Sequence, residues 1–167
     1  MNATLERVAQ FLDKENVLYH GAPNGQAIGA HLALTNLGVA LVFETDTDNT
    51  VFTLTAQVPV IIPADRRAAV AEFLMRVNSN LRLGRFVLEY EPGGVFLRLD
   101  RETASVEPTD ELLGRWLVLA CATVDGFFPA LMSVTFARMN PSQAVEQGEA
   151  AYAALFGKQP SNGDERN

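Results

Sequence analysis

An α+β domain, built on one antiparallel sheet of five strands with helices mainly on one face, is the fold this sequence predicts. Three observations lead there. Residues 50–58 and 84–101 alternate with a period of two and carry one greasier side, the pattern of a sheet packed on a single face. Tight turn signals, Asp46-Thr47-Asp48-Asn49 and Glu91-Pro92-Gly93-Gly94, join strand-like runs as hairpins. Stretches with helical periodicity lie before, between and after these runs.

The elements follow in order. Leu5, Val8, Phe11 and Leu12 give a short amphipathic helix behind the candidate caps Asn2 and Thr4. Gly21 to Gly29 reads as a loop; it has neither the Gly-Lys-Ser/Thr ending of a phosphate loop nor the glycine spacing of a dinucleotide site. Strands are expected over about residues 28–34, 38–45 and 50–58. Pro63 opens a helix whose stripe is Val70, Phe73, Leu74, Val77 and Leu81, with Asn78 and Asn80 suited to its end. Strands over about 84–91 and 95–101 form the clearest hairpin, with Phe86, Leu88 and Tyr90 on one side and Arg85, Val87 and Glu89 on the other. A long helix starts near Pro108-Thr109-Asp110-Glu111, and Pro129 is expected to kink it. A last helix starts at Asn140-Pro141-Ser142-Gln143 and carries Val145, Ala151, Tyr152, Leu155 and Phe156. The predicted order is α-β-β-β-α-β-β-α-α in a single domain over residues 1–157, with a polar, disordered tail over 158–167.

Bulk composition narrows the function. The chain has 167 residues, 48% of them apolar and 20% charged, which describes an ordinary globular protein. A net charge of −7 opposes nucleic acid and anionic membrane surfaces. A lone cysteine, Cys121, excludes an intramolecular disulfide and suits a reducing compartment. Met1 to Arg7 shows no basic stretch followed by an apolar one, so no secretory leader is expected and the chain reads as cytoplasmic. The apolar stretch from Leu112 to Ala137 is interrupted by Arg115, Asp125, Gly126 and Pro129. Its longest clean run, Trp116 to Val124, falls short of the roughly 20 residues a bilayer requires, so it reads as a buried helix.

Catalytic and metal signatures in the sequence are incomplete. Asp46-Thr47-Asp48-Asn49-Thr50 resembles the Asp-x-Asp-x-Thr motif of haloacid-dehalogenase-type phosphatases, in which the first aspartate attacks phosphate. Those enzymes also need a downstream lysine, and this chain has only Lys14 and Lys158, so a polar hairpin turn and no phosphate-ester hydrolysis are expected. A calcium loop starting at Asp46 fails, because Val51 and Gln57 stand where glycine and glutamate belong. One cysteine and two histidines, His20 and His31, do not make a zinc set, so no metal and no cofactor are expected. The apolar helical setting of Cys121 should leave its thiol inert. Arg82, Arg85, Arg98 and Arg101 are interleaved with Glu89, Glu91, Asp100 and Glu102, which reads as cross-strand ion pairing, with an acidic-peptide dock as the functional alternative.

Beyond these motifs, the middle of the chain resembles the YbjN family of bacterial proteins, which share the type III secretion chaperone-like fold. The likeness is carried by Val58-Pro59-Val60, by Ala71-Glu72-Phe73-Leu74-Met75-Arg76-Val77-Asn78, and by Asn80. Gly84-Arg85-Phe86-Val87-Leu88, Gly94-Val95-Phe96-Leu97-Arg98 and Val124-Asp125-Gly126-Phe127-Phe128-Pro129-Ala130-Leu131 continue it. The resemblance implies no catalytic residues and suggests protein binding. The expected function is a non-catalytic, chaperone-like or regulatory adaptor that binds a segment of a partner protein. The alternative is an enzyme or small-molecule sensor with a polar pocket. A deep pocket with converging ionisable groups would favour the alternative, and a shallow apolar groove the adaptor.

The long helix also points to self-association. Leu112, Trp116, Leu119, Thr123 and Phe127 form one stripe, and Leu113, Leu117, Val124 and Leu131 a second, with Cys121 and Phe128 widening it. The arc is on the order of 200°, about twice what packing on one sheet requires. The last helix or a second copy must cover the excess, and a two-fold dimer is expected. Candidate partner or dimer contacts are therefore Trp116, Cys121, Phe127, Phe128 and Met132 on the helical side, and Arg85 and Arg98 on the sheet.

Overall fold

Local chemistry starts each helix. In the computed structural model, which describes residues 2–103 and 107–156, the Asn2 side chain accepts from the Leu5 amide and opens α1 (Ala3–Lys14). Four further segments, β1 (Tyr19–Gly21), β2 (Ala27–Ala33), β3 (Gly38–Thr45) and β4 (Val51–Ile61), follow as strands. Pro63 then caps a single 3₁₀ turn, Ala64–Arg66, that runs into α2 (Arg67–Asn80). The hairpin β5 (Arg85–Leu88) and β6 (Gly94–Glu102) comes next. Thr109 caps α3 (Asp110–Phe136) through the Leu112 amide, and α4 (Pro141–Phe156) closes the chain. The predicted tail over 158–167 lies outside the described residues.

The sheet has six strands, not five, in the order β1-β2-β3-β4-β6-β5, and every neighbouring pair is antiparallel. The added strand is Tyr19–Gly21, which makes the element order α-β-β-β-β-α-β-β-α-α. Three residues are too few to display an alternation, and they run directly into the loop that begins at Ala22. β4 runs three residues past its predicted end and includes Pro59. A shift in register between Val58 and Ile61 accommodates it, and the ladder to β3 has already stopped at Gln57, so the missing N–H breaks no rung on that side. β5 ends at Leu88 rather than 91 because the Glu89 amide turns to the Gly94 carbonyl and the Gly93 amide to the Glu89 carbonyl.

Side-chain alternation sorts the sheet into two faces. Ile28, Phe43, Leu54 and Leu99 lie across one row, and Ala30, Leu41, Ala56, Leu97 and Phe86 across the next; all are buried under the helices. Phe52 stacks on Phe43 and, on its other side, on Trp116 of α3 at 5.4 Å between ring centres. The helices gather on this face, with α1 against β2 and β3, α2 against β5, and α3 against β4 and β6.

Two helices approach each other unusually closely. A Cβ at Gly126 of α3 would stand 2.9 Å from the Tyr152 Cα of α4, and one at Gly148 of α4 would stand 2.5 Å from a ring carbon of Phe127. Reciprocal glycines thus let α4 lie directly on α3 and bury Phe127 and Ala130. Much of the wide apolar arc is therefore covered within the chain. By length and hydropathy α3 could cross a bilayer, but 56% of its most apolar window is buried here, as befits a core helix. The helix continues through Pro129, and the Arg66 guanidinium donates to the Val134 carbonyl at 2.5 and 3.2 Å, satisfying one of the free acceptors of the last turn.

Candidate functional site

Asp46 and Cys121, which the sequence singles out for chemistry, are both held by their surroundings. The Asp46 carboxylate accepts from the Thr50 amide at 2.6 Å, the Val51 amide at 2.9 Å and the Thr50 hydroxyl. The Thr50 hydroxyl bond, helped by the Val51 amide, holds its pKa below the ordinary aspartate value. The residue is a turn anchor, as expected of a hairpin. Cys121 is half-buried on α3; burial, with the Asp125 carboxylate adding to it, pushes its thiol up to about 11. Asp125 itself is buried and accepts from the Asn36 amide at 2.7 Å, while the Asn36 side chain donates to the Asp125 carbonyl. That pair ties the β2–β3 turn to α3. Among the described residues no group of three or more His, Cys, Asp and Glu side chains is placed to hold a metal ion.

The predicted contact residues separate into three kinds. Trp116 and Phe127 are core residues: Trp116 is stacked on Phe52, and Phe127 is wedged between Phe86 and Tyr152. Neither offers a surface to a partner, which corrects the sequence expectation; periodicity shows that a residue is apolar, not which neighbour covers it. Cys121, Phe128 and Met132 are half-buried at the edge of the core, with Phe128 closing an internal void beside Val58, Phe73 and Leu131. Arg85 and Arg98 face each other across β5 and β6 on the helix-free face of the sheet. Their like charges are separated by Asp100, which receives Arg85 Nη2 at 2.7 Å, Arg98 Nε at 2.8 Å and the Thr53 hydroxyl at 2.9 Å. Partial burial pushes the Asp100 carboxyl upward, but the bonds from Arg98, Thr53 and Arg85 outweigh it and hold the group below the ordinary range. Ion pairing consumes the arginines, so an acidic dock at this place would have to displace Asp100.

Among the described residues, two concave surfaces stand out. On the helical side Leu83, Gly114, Arg115, Val118 and Leu119 line a shallow groove of about 390 Å³. Leu83 is 53% exposed and Val118 60%, so large apolar side chains stand open to water there. Sequence reasoning missed both. The signal was present in Leu83, an apolar residue in the short linker Leu81–Gly84, where a solvated connection would carry polar ones. On the opposite side of the molecule, the helix-free sheet face bears a second concavity, of about 360 Å³. It is lined by His31, Gly38, Ala40, Gln57, Val58, Pro59, Val60, Ile61 and Gly94.

Known proteins bear on the family and the fold. The family described as "YbjN: Putative bacterial sensory transduction regulator" matches residues 4–133. The fold is similar to a crystal structure described as that of "YbjN, a putative transcription regulator from E. coli", with a TM-score of 0.53 over 91% of this chain and 92% of that one. Sequence identity across the pair is 12%, so the likeness is one of fold. No curated protein matches the chain in sequence.

Proposed function

The chain belongs to the YbjN family, and from that premise we propose that it is a non-catalytic regulatory domain that works by binding a segment of another protein. The observation that carries this reading is the helical groove around Leu83, Val118 and Leu119. Exposed apolar side chains in a concave setting are stabilised when a partner removes them from water, by about 25 cal/mol for each Å² of apolar surface covered. Arg115 on the rim gives such a partner a charged contact that fixes orientation without a buried ion pair. The family description, a regulator rather than an enzyme, agrees with this reading. So does the way Asp46 and Cys121 are held by their surroundings.

The same patch serves self-association. With α4 covering the Phe127 side of α3, the apolar surface left for a second copy is the strip through Val118, and a two-fold dimer would place these strips against each other. The test combines two measurements on the wild type, Val118→Asp and Gln57→Ala. Light scattering across a concentration series is expected to give twice the 18.2 kDa chain mass for the wild type and Gln57→Ala, and the single-chain mass for Val118→Asp. Affinity capture from the native host should retain a partner with the first two proteins and lose it with the third. A folded Val118→Asp protein that keeps both the mass and the partner rejects the groove.

A further inference from the structure

The helix-free face of the sheet carries a second feature that partner binding at α3 does not use. Its rows can be read from the strand register. His20, Gly29, Val42, Thr55 and Arg98 lie across one row, and His31, Ala40, Gln57 and Phe96 across the next. Where this second row crosses β2, β3 and β4, the floor is almost without side chains: Gly38 and Ala40 are beneath, and Gly94 adds bare backbone at the far end. The walls are of two kinds. His31 and Gln57 present an imidazole and a carboxamide, whereas Pro59 and Ile61 present apolar surface, with Ile61 61% exposed.

The imidazole is already engaged in stacking. His20 and His31 lie with ring centres 6.2 Å apart and planes 19° from parallel. His20 reaches this position because Gly29 beneath it lacks a side chain; a Cβ there would fall 2.6 Å from the His20 Nε2. The glycine therefore sets a flat ring on the sheet surface beside the concavity. Among the described residues no Lys, Arg, Asp or Glu side chain lines the concavity, and the Glu89 carboxylate stands at its rim beside Gly94.

From these observations we infer that this concavity is a binding site for a small, uncharged, planar heteroaromatic molecule that has both a hydrogen-bond donor and an acceptor on one edge. Each property follows from a wall. A bare floor of glycine and alanine admits a flat ring at van der Waals distance from the backbone, where a larger side chain would hold it off. The Gln57 carboxamide offers one acceptor oxygen and two donor hydrogens, and so matches a paired donor–acceptor edge. An ionised ligand would leave water without meeting an opposite charge, and an anion would also face Glu89. The volume, about 360 Å³, falls at the small end of ligand sites, so the occupant is of one- or two-ring size.

The experiment uses the full chain, labelled with ¹⁵N, titrated at neutral pH with three compounds: adenine, which is neutral with a donor–acceptor edge; indole, which is planar but lacks the acceptor; and benzoate, which is planar and anionic. Adenine is expected to shift the amides of His31, Ala40, Gln57 and Gly94 saturably, indole more weakly, and benzoate not at all. Ala40→Leu fills the floor and Gln57→Leu removes the polar edge; each should weaken adenine binding by roughly tenfold. Both sites face water, and thermal unfolding checks that each variant is folded. The inference is overturned if adenine produces no saturable shifts, if the shifts gather at Leu83 and Val118 instead, or if both folded variants bind as the wild type does. Benzoate binding as well as adenine would overturn the neutral class. Because this site lies on the opposite side of the molecule from Val118, Val118→Asp should leave the adenine shifts unchanged. Failure of one proposal is thereby distinguished from failure of the other.

Discussion

One sheet presents two faces, and they are made of different material. On the covered face, the rows are filled mostly by Phe, Leu, Ile and Val, with Ala30 and Ala56 among them, under α1, α2 and α3. On the open face the corresponding rows hold Gly29, Ala40, Thr55 and Gln57, broken by the Arg85–Asp100–Arg98 cluster. Strand pairing is common to both, so the backbone ladder does not distinguish them. The difference teaches that burial is concentrated on one side, and that the other side is left free of the packing demands of a core.

Substitutions that probe that division should differ sharply in size. The largest effect is expected for Phe52→Ala, which removes a ring sandwiched between Phe43 and Trp116; urea denaturation should show a loss of about 3–5 kcal/mol. Asn78→Leu comes next and tests the sheet's margin. The Asn78 side chain accepts from the Phe86 amide at 2.7 Å and donates to the Phe86 carbonyl at 2.9 Å. Leaving that backbone pair without a partner should cost about 1–3 kcal/mol by the same measurement. A smaller loss, about 1–2 kcal/mol, is expected for Asp100→Asn, which leaves Arg85 and Arg98 facing each other. Its pH dependence has a definite sign. The Asp100 carboxyl is held below its unfolded value, so its contribution is present above about pH 4 and is lost as pH falls through the folded value. The gap between wild type and Asp100→Asn should therefore close on acidification, and a gap that is constant from pH 7 to pH 3 contradicts the assignment. The smallest effect belongs to the open face proper: Thr55→Val should change stability by less than about 0.5 kcal/mol. If Thr55→Val rivals Phe52→Ala, the contrast between the faces fails.

Much of this division was legible in the chain. Alternation placed Phe52, Leu54, Ala56 and Val58 on the core side and Arg85 and Arg98 on the other, because a period of two is a direct consequence of strand geometry. The caps Asn2 and Asn140 were legible for a similar reason, since each acts within three residues of itself, whereas Thr4, the other candidate, lies inside α1 and is buried. What escaped was whatever depends on distant partners. β1 is defined by pairing with Ile28 to Ala30, not by any pattern in Tyr-His-Gly. Asn78, expected to end α2, lies within the helix and turns its side chain to a strand eight residues away. Trp116 and Phe127 looked like contact residues because their covers, Phe52 and Tyr152, lie far along the sequence. The two concavities were invisible because each joins residues from separate segments.

Asn78 also closes the β5 edge of the sheet at one rung. A carboxamide sets an N–H and a C=O in nearly the spacing of a peptide group, so this side chain stands where a residue of a seventh strand would stand. Hydrogen-bond propagation through the sheet therefore terminates on a helix, and a neighbouring chain finds no vacant rung at Phe86. The protection arrives only when α2 docks on β5. With α2 and β5 packed together, that rung of the edge strand is guarded against edge-to-edge pairing.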